Sequence, residues 1–194
     1  AQLLGIAIGV ISFIFATTLK ENMVIERKKS ISYTQRLKGV FVESAAFLRT
    51  NRKAAGLIFA NGLVGAFDVL LLFFLQSRFR DAGAGNILLG VLLFITYAGG
   101  ILGAVLSEGI GKKTPFVRLF FICLTLVLLG CASSFTNVLW IMTLGGFFSA
   151  FGDDLLQIRA DVKLNNMIPE SSRATLISVN SLCFSLIMIV LSPL

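Results

Sequence analysis

Long apolar runs alternate with shorter polar segments along the whole of the chain. Six runs approach the length of about 20 apolar residues that crosses a hydrocarbon core, so each is predicted to form a transmembrane helix. They cover residues 1–19, 54–76, 87–107, 116–133, 138–157 and 174–194. A soluble domain of 194 residues would not bury six such runs. The pattern therefore predicts an all-α polytopic membrane protein.

Several runs carry polar or small residues at helical spacing. In residues 54–76, Asn61, Gly65, Asp68 and Gln76 fall on one face at about 100° per residue. A charge near the bilayer centre costs about 2.5–3.5 kcal/mol on insertion scales. Two interpretations of Asp68 stay open: binding of a cationic substrate or coupling proton in a water-filled cavity, and a structural hydrogen bond to a neighbouring helix. The other predicted cavity residues are Thr96, Thr143 and Asp154.

The remaining polar positions are less informative. Glycine and serine stripes in the last runs are typical of close helix packing in lipid. Asp153 and Asp154 lie near the end of their run, where water reaches, so a solvated role is as compatible with the sequence as a functional one. Adjacent residues of a helix point in different directions, so the pair does not predict a metal site or an acid–base couple.

The basic residues divide unequally between the two sides that alternating spans would create. Residues 20–53 hold nine Lys and Arg, and residues 108–118 and 159–173 hold three each. The opposite side has two, Arg78 and Arg80. The positive-inside rule places the basic side in the cytoplasm of a multi-pass protein in the cell membrane, with residues 20–53, 108–115 and 158–173 as cytoplasmic loops.

The net charge of +7 does not predict a nucleic-acid partner, because the charges lie beside the apolar runs. Within the loop 20–53, the residues Leu37, Val40, Phe41, Ser44, Ala45 and Leu48 recur at helical spacing. They predict an amphipathic helix on the inner membrane surface, so the lipid bilayer is the expected partner of this linker.

Composition argues against several classes of enzyme. The chain is 14% charged, whereas a soluble domain carries about 25% charged residues. It has no histidine, which removes imidazole catalysis and His-based metal motifs. Cys123, Cys131 and Cys183 lie in apolar runs at spacings that match no metal or redox motif. We expect no cofactor, no metal and no catalytic residue, and hence a protein that is not an enzyme.

The order of the spans resembles the C-terminal half of a major facilitator superfamily transporter. The two runs with few polar residues, 1–19 and 116–133, are three apart, which fits the peripheral sixth and ninth helices of that fold. On that register residues 1–19 are the sixth helix, 20–53 are the linker, and 54–194 form most of the C-terminal bundle. The twelfth helix and the N-terminal half are then expected to lie outside the chain.

Two local segments carry this resemblance. The family repeats a cytoplasmic gating motif after its eighth helix, and Ala104, Glu108, Gly111, Lys112 and Lys113 match its offsets. Alanine replaces the motif's glycine, and glutamate replaces its aspartate. The segment "LNNMIPESSRATLISVNSLCFS", residues 164–185, resembles the junction of the tenth and eleventh helices in the drug-efflux-like branches.

The resemblance implies part of a secondary active transporter that works by alternating access. The expected activity is proton-coupled efflux of a small amphipathic compound by antiport, with protons, the substrate and the N-terminal half as partners. An uptake permease for a sugar or organic solute is one alternative. A membrane-embedded enzyme or a receptor without transport is another, although a hydrolase would need a Ser–His pair, facing aspartates or metal ligands.

Overall fold

The computed structural model describes residues 2–18, 38, 39, 42, 46, 49–167 and 173–193. This part of the chain is helical and contains no strand. The helices are α1 (Gln2–Thr18), α2 (Arg52–Asp81), α3 (Asn86–Lys113), α4 (Phe116–Ser133), α5 (Leu139–Met167) and α6 (Arg173–Leu191). Helix α1 belongs to a unit of its own, residues 1–37, and α2–α6 form the second unit.

Three helices, α2, α3 and α4, are long and apolar enough to cross a membrane. In α6 the apolar stretch Ile177–Leu191 is shorter, and α5 has the adjacent carboxyl groups of Asp153 and Asp154 near its middle. Most large side chains on the outside of the second unit are apolar, for example Phe94, Ile101 and Val105, which are 73%, 66% and 71% exposed. An all-helical protein with apolar outer faces and buried polar groups is one embedded in a membrane.

Helix α5 is the centre of the second unit. It packs most extensively against α3 and α4, and it also contacts α2, which in turn contacts α6. Buried apolar side chains fill the spaces between these helices. One cluster joins Leu71, Leu75 and Met142, and a second joins Ile58, Leu164 and Val179.

Two sets of contacts define the ends of this unit. At one end, Arg159 donates from Nη2 to the carbonyl oxygen of Gly111 at 3.3 Å. Lys163 lies there too, with Nζ 4.2 Å from the ring centroid of Phe116. We call this the Lys112 end. It contains the last residues of α3 and α5 and the first residues of α4.

The opposite end is held by Arg78 near the end of α2, and we call it the Arg78 end. The guanidinium group donates to the carbonyl oxygens of Ser134 and Thr136 at 3.2 and 3.3 Å, and to Oδ1 of Asn137 at 2.8 Å. These acceptors lie in the turn between α4 and α5. The charge pattern assumes that successive helices cross in alternating directions, and helices α2 to α5 do so in the structure. Helices α2 and α4 run from the Lys112 end to the Arg78 end, and α3 and α5 return.

The turn after α2 depends on one glycine. Gly83 has φ of 88°, a left-handed conformation that glycine adopts without strain. The amides of Gly83 and Ala84 donate back to the carbonyl oxygens of Arg80 and Phe79, both at 2.9 Å. This is the Schellman arrangement, which satisfies the last carbonyl groups of the helix.

Helices α3 and α5 run parallel in close backbone contact. A Cβ added at Gly99 would collide with the carbonyl oxygen of Phe147, and one added at Gly103 with that of Phe151. The carbonyl groups of α5 therefore lie where side chains of α3 would otherwise stand. Small residues allow this close approach. Such packing matters in a membrane because lipid is as apolar as the side chains, so the hydrophobic effect does not drive the helices together.

Three helices, α2, α3 and α5, are longer than the predicted apolar runs. Helix α2 continues from the predicted end at residue 76 to Asp81, α3 from 107 to Lys113, and α5 from 157 to Met167. Most of the predicted loop 158–173 is consequently helical. Helix α4 has the predicted bounds, 116–133. Of the predicted interfacial helix, residues 38, 39, 42, 46, 49 and 50 are helical, and its apolar stripe lies outside the described residues.

Candidate functional site

A polar cavity of about 310 Å³ opens between α2, α5 and α6. Helix α2 contributes small residues to its wall, α5 contributes one carboxylate, and α6 contributes hydroxyl and amide groups. Among its described lining residues none is Lys or Arg. The lining is Asn61, Gly62, Gly65, Val69, Asp153, Gln157, Asn180, Ser181, Phe184 and Ser185.

Asn61 and Asp153 form the buried part of this cavity. They are 6% and 8% exposed. Among the described residues, Oδ1 of Asn61 has no hydrogen-bond partner. Gly65 lies next to this carboxyl group, since a Cβ at that position would stand in van der Waals contact with Oδ1 of Asp153, at 3.4 Å. A buried amide oxygen beside a carboxylate favours a ligand that is positively charged or donates a hydrogen bond.

Asp68 lies outside the cavity lining and packs against α5. It is 4% exposed, and its Oδ1 accepts a hydrogen bond of 2.5 Å from Oγ of Ser149. Asp68 does not line the cavity, because α5 covers this face of α2 beyond Gly65. The side chain therefore makes the interhelical hydrogen bond that was one of its two open interpretations.

Asp154 points to the other side of α5. Its carboxylate occupies the space that a side chain at Gly100 would need. Asp68, Asp153 and Asp154 are close enough to interact electrostatically with one another. The second unit therefore concentrates carboxyl groups around the middle of α5.

The remaining predicted cavity residues lie elsewhere. Thr96 and Thr143 are 0% and 1% exposed, and their hydroxyl groups donate within their own helices to the carbonyl oxygens of Leu92 and Leu139. Gln76 is half-buried near the Arg78 end. Of the six predicted residues, Asn61 is the one that lines the cavity.

The residues of the predicted gating motif are at the Lys112 end. Glu108 and Lys112 form an exposed ion pair with Oε1 and Nζ 2.5 Å apart. Gly111 is buried beneath Arg159, whose guanidinium group occupies the place of a side chain. Ala104 is half-buried and Lys113 is exposed. The motif residues thus surround the contact between the ends of α3 and α5.

A second crevice adjoins the first, nearer the Lys112 end. It has a volume of about 280 Å³ and is lined by Asp161, Leu164, Asn165, Ile177, Asn180 and Ser181. Burial raises the pKa of the Asp161 carboxyl above its usual value. Asn180 and Ser181 belong to both crevices.

Sequence reasoning missed Asp153, Gln157 and Asn180 as cavity residues. The spacing of Asp153 and Gln157, four residues apart, was a usable signal, since such residues share a helix face. The predicted cavity residue of this helix is Asp154 instead. The structure places Asp153 at the cavity and Asp154 against Gly100 of α3, because the positions of α2 and α3 decide which aspartate meets the cavity.

The fold and the site together define an all-helical, membrane-embedded protein with a polar cavity that contains the buried carboxyl group of Asp153. Among the described residues, no group of three or more His, Cys, Asp or Glu side chains is arranged to hold a metal ion. No family model, no curated protein and no solved structure matches the chain. The family resemblance thus remains a prediction from the sequence.

Proposed function

We propose that this chain forms part of a secondary active transporter that moves a small molecule across the cell membrane by alternating access. One observation carries the proposal: a carboxyl group and an amide oxygen with no hydrogen-bond partner among the described residues are buried at a polar cavity between apolar helices. Polar groups within membrane segments are expensive and mark substrate or ion pathways. Substrate sites of secondary transporters likewise lie within the membrane between helices, at the interface of structural repeats.

The charges favour a cationic or proton-coupled process. The cavity has Asp153 and no described basic lining residue. Coulomb attraction therefore favours a cation inside it and opposes an anion. Efflux of an amphipathic compound in exchange for protons is the form of transport that the family resemblance implies, and the N-terminal half of that family would supply the opposing wall.

The Lys112 end is proposed to face the cytoplasm. The basic residues of α2–α6 gather at that end, and Arg78 and Arg80 are at the other. The positive-inside rule then orients the protein. Labelling of Lys112→Cys in inside-out vesicles, but not in intact cells, is the expected result for an impermeant maleimide.

The proposal is tested with the complete protein in energised inside-out vesicles. The probe is ethidium, a fluorescent amphipathic cation, and we expect its uptake to stop when the proton gradient is collapsed. Asp153→Asn keeps the shape of the side chain and removes its charge, so it should abolish uptake. Asp81→Asn, at an exposed position at the end of α2, is the matched control and should leave uptake unchanged.

Two results would contradict this assignment. Uptake that persists in Asp153→Asn but is lost in Asp68→Asn would move the coupling role to Asp68. Uptake by neither the parent protein nor any variant, with ethidium or with a panel of neutral and anionic solutes, would remove the transporter proposal.

A further inference from the structure

Four polar side chains follow one another along α5 at intervals of four residues. Asp153 and Gln157 line the first crevice, and Asp161 and Asn165 line the second. Residues four apart lie one above the other on a helix, so these side chains form a continuous polar row. We call it the α5 row.

Helix α6 provides the facing wall. Asn180 and Ser181 line both crevices, so the two spaces adjoin at these residues. Gln157 and Ser181 are exposed, Asp161 is half-buried, and Asp153 is buried. The row therefore leads from accessible positions to a buried carboxylate.

The row also has a direction. Leu164, next to Asn165, packs in a cluster with Ala54 at the start of α2. Lys163 lies over Phe116 at the start of α4. Asn165 is accordingly at the Lys112 end, whereas Asp153 lies about three turns further into the bundle, at about 3.6 residues per turn.

We propose that the α5 row and the facing Asn180 and Ser181 form a hydrated access route by which small cations reach Asp153 from the Lys112 end. This deepens the proposed function, on which it rests for the transport that the route would serve. Together the two crevices have two described carboxylates in their lining and no described Lys or Arg. A cleft lined by one sign of charge concentrates counter-ions and repels ions of the same charge.

An independent observation at the inner end supports hydration. Oδ1 of Asn61 is buried in the cavity wall and, among the described residues, has no donor. Such an oxygen is satisfied by water or by a cation. The crevice volumes of about 310 and 280 Å³ are large enough for several waters, since a water's share of liquid volume is about 30 Å³.

The test uses single cysteines in a background in which the native cysteines are replaced. Gln157→Cys and Ser181→Cys probe the route. Val105→Cys is the matched control, because α3 and α5 run parallel and Val105 lies near the level of Asp153 on an exposed apolar face. Lys112→Cys marks which side of the vesicle is the Lys112 end.

Each variant is treated with two methanethiosulfonate reagents of similar size, one carrying a trimethylammonium group and one a sulfonate. Each rate is divided by the rate of the same reagent with a free thiol in solution. On this scale the cationic reagent should react with Gln157→Cys and Ser181→Cys about tenfold or more faster than the anionic one, as local concentration of counter-ions predicts. Reaction should occur from the side on which Lys112→Cys reacts. Adding Asp161→Asn should reduce the preference several-fold, because it removes one of the two carboxylates. Val105→Cys should react slowly with both.

The proposal is overturned if Gln157→Cys reacts as slowly as Val105→Cys, if both reagents react at equal rates, or if reaction occurs only from the side opposite Lys112→Cys. These measurements need no transport substrate. A protein that labels as expected but drives no uptake would thus refute the proposed function and leave the access route standing.

Discussion

The contact between α3 and α5 predicts that Gly99→Ala destabilises the bundle. A Cβ at this position would overlap the carbonyl oxygen of Phe147 and stand 2.8 Å from its carbonyl carbon and 3.0 Å from its Cα. All three are backbone atoms, so a side-chain rotation cannot relieve the overlap and α5 must move away. Overpacking of this kind costs about 1–3 kcal/mol, which exceeds the gain of about 0.5–1 kcal/mol from replacing glycine by alanine in a helix.

Gly90→Ala in the same helix provides the matched control. Nothing lies within 4 Å of a Cβ there, so the helix-propensity gain acts alone and the variant should be as stable as the parent or slightly more stable. Unfolding is followed by titration of the micellar protein with sodium dodecyl sulfate, with Trp140 of α5, the single tryptophan, as the fluorescent reporter. Equal stability of the Gly99→Ala and Gly90→Ala variants would refute the close contact between these helices.

Two further predictions use the same unfolding assay. A double-mutant cycle of Asp68→Ala and Ser149→Ala should give a coupling energy between about 0.6 kcal/mol, the average for interhelical hydrogen bonds in membranes, and about 1.7 kcal/mol, the largest value. A coupling near zero would argue against this bond. Arg78→Ala should lower the free energy of unfolding by about 1–2 kcal/mol, because its guanidinium group donates hydrogen bonds to several acceptors in the turn between α4 and α5. Arg80→Ala, at an exposed position, should change the unfolding free energy by less than about 0.5 kcal/mol, and equal losses for the two arginines would show that the hydrogen bonds of Arg78 contribute little.

The sequence predicted the helical class and the alternation of the helices because both follow from local properties. Apolar runs reveal where a helix can meet lipid, and the loop charges show which ends lie together. The same runs do not reveal where a helix ends. Between residues 158 and 167 the chain becomes polar, but it contains no glycine or proline to stop the helix, and α5 continues to Met167. Hydropathy thus marked where the chain is predicted to leave the membrane, and this position differs from the end of the helix.

The positions of the polar side chains were harder to predict. Asn61 and Asp68 are seven residues apart and point in nearly the same direction on an isolated helix. Their surroundings differ because α5 and α6 leave a space beside Asn61, whereas Asp68 lies against α5 and accepts a hydrogen bond from Ser149. Helical spacing identifies a shared face, but only the neighbouring helices decide which part of that face is open.

The carboxylates around the middle of α5 show how this distinction bears on function. Asp68 already has a hydrogen-bond donor in Ser149, and Asp154 lies against Gly100 in the contact with α3. Asp153 differs because it faces a cavity that is also lined by Asn61, whose Oδ1 has no hydrogen-bond partner in the part of the chain that the structure describes. A carboxyl group that neighbouring helices hydrogen-bond can have a purely structural role. A buried carboxylate beside an open polar space still needs a cation, a proton or water to offset the cost of its burial. That need makes Asp153 a stronger candidate than Asp68 for the group that binds and releases the transported or coupling cation.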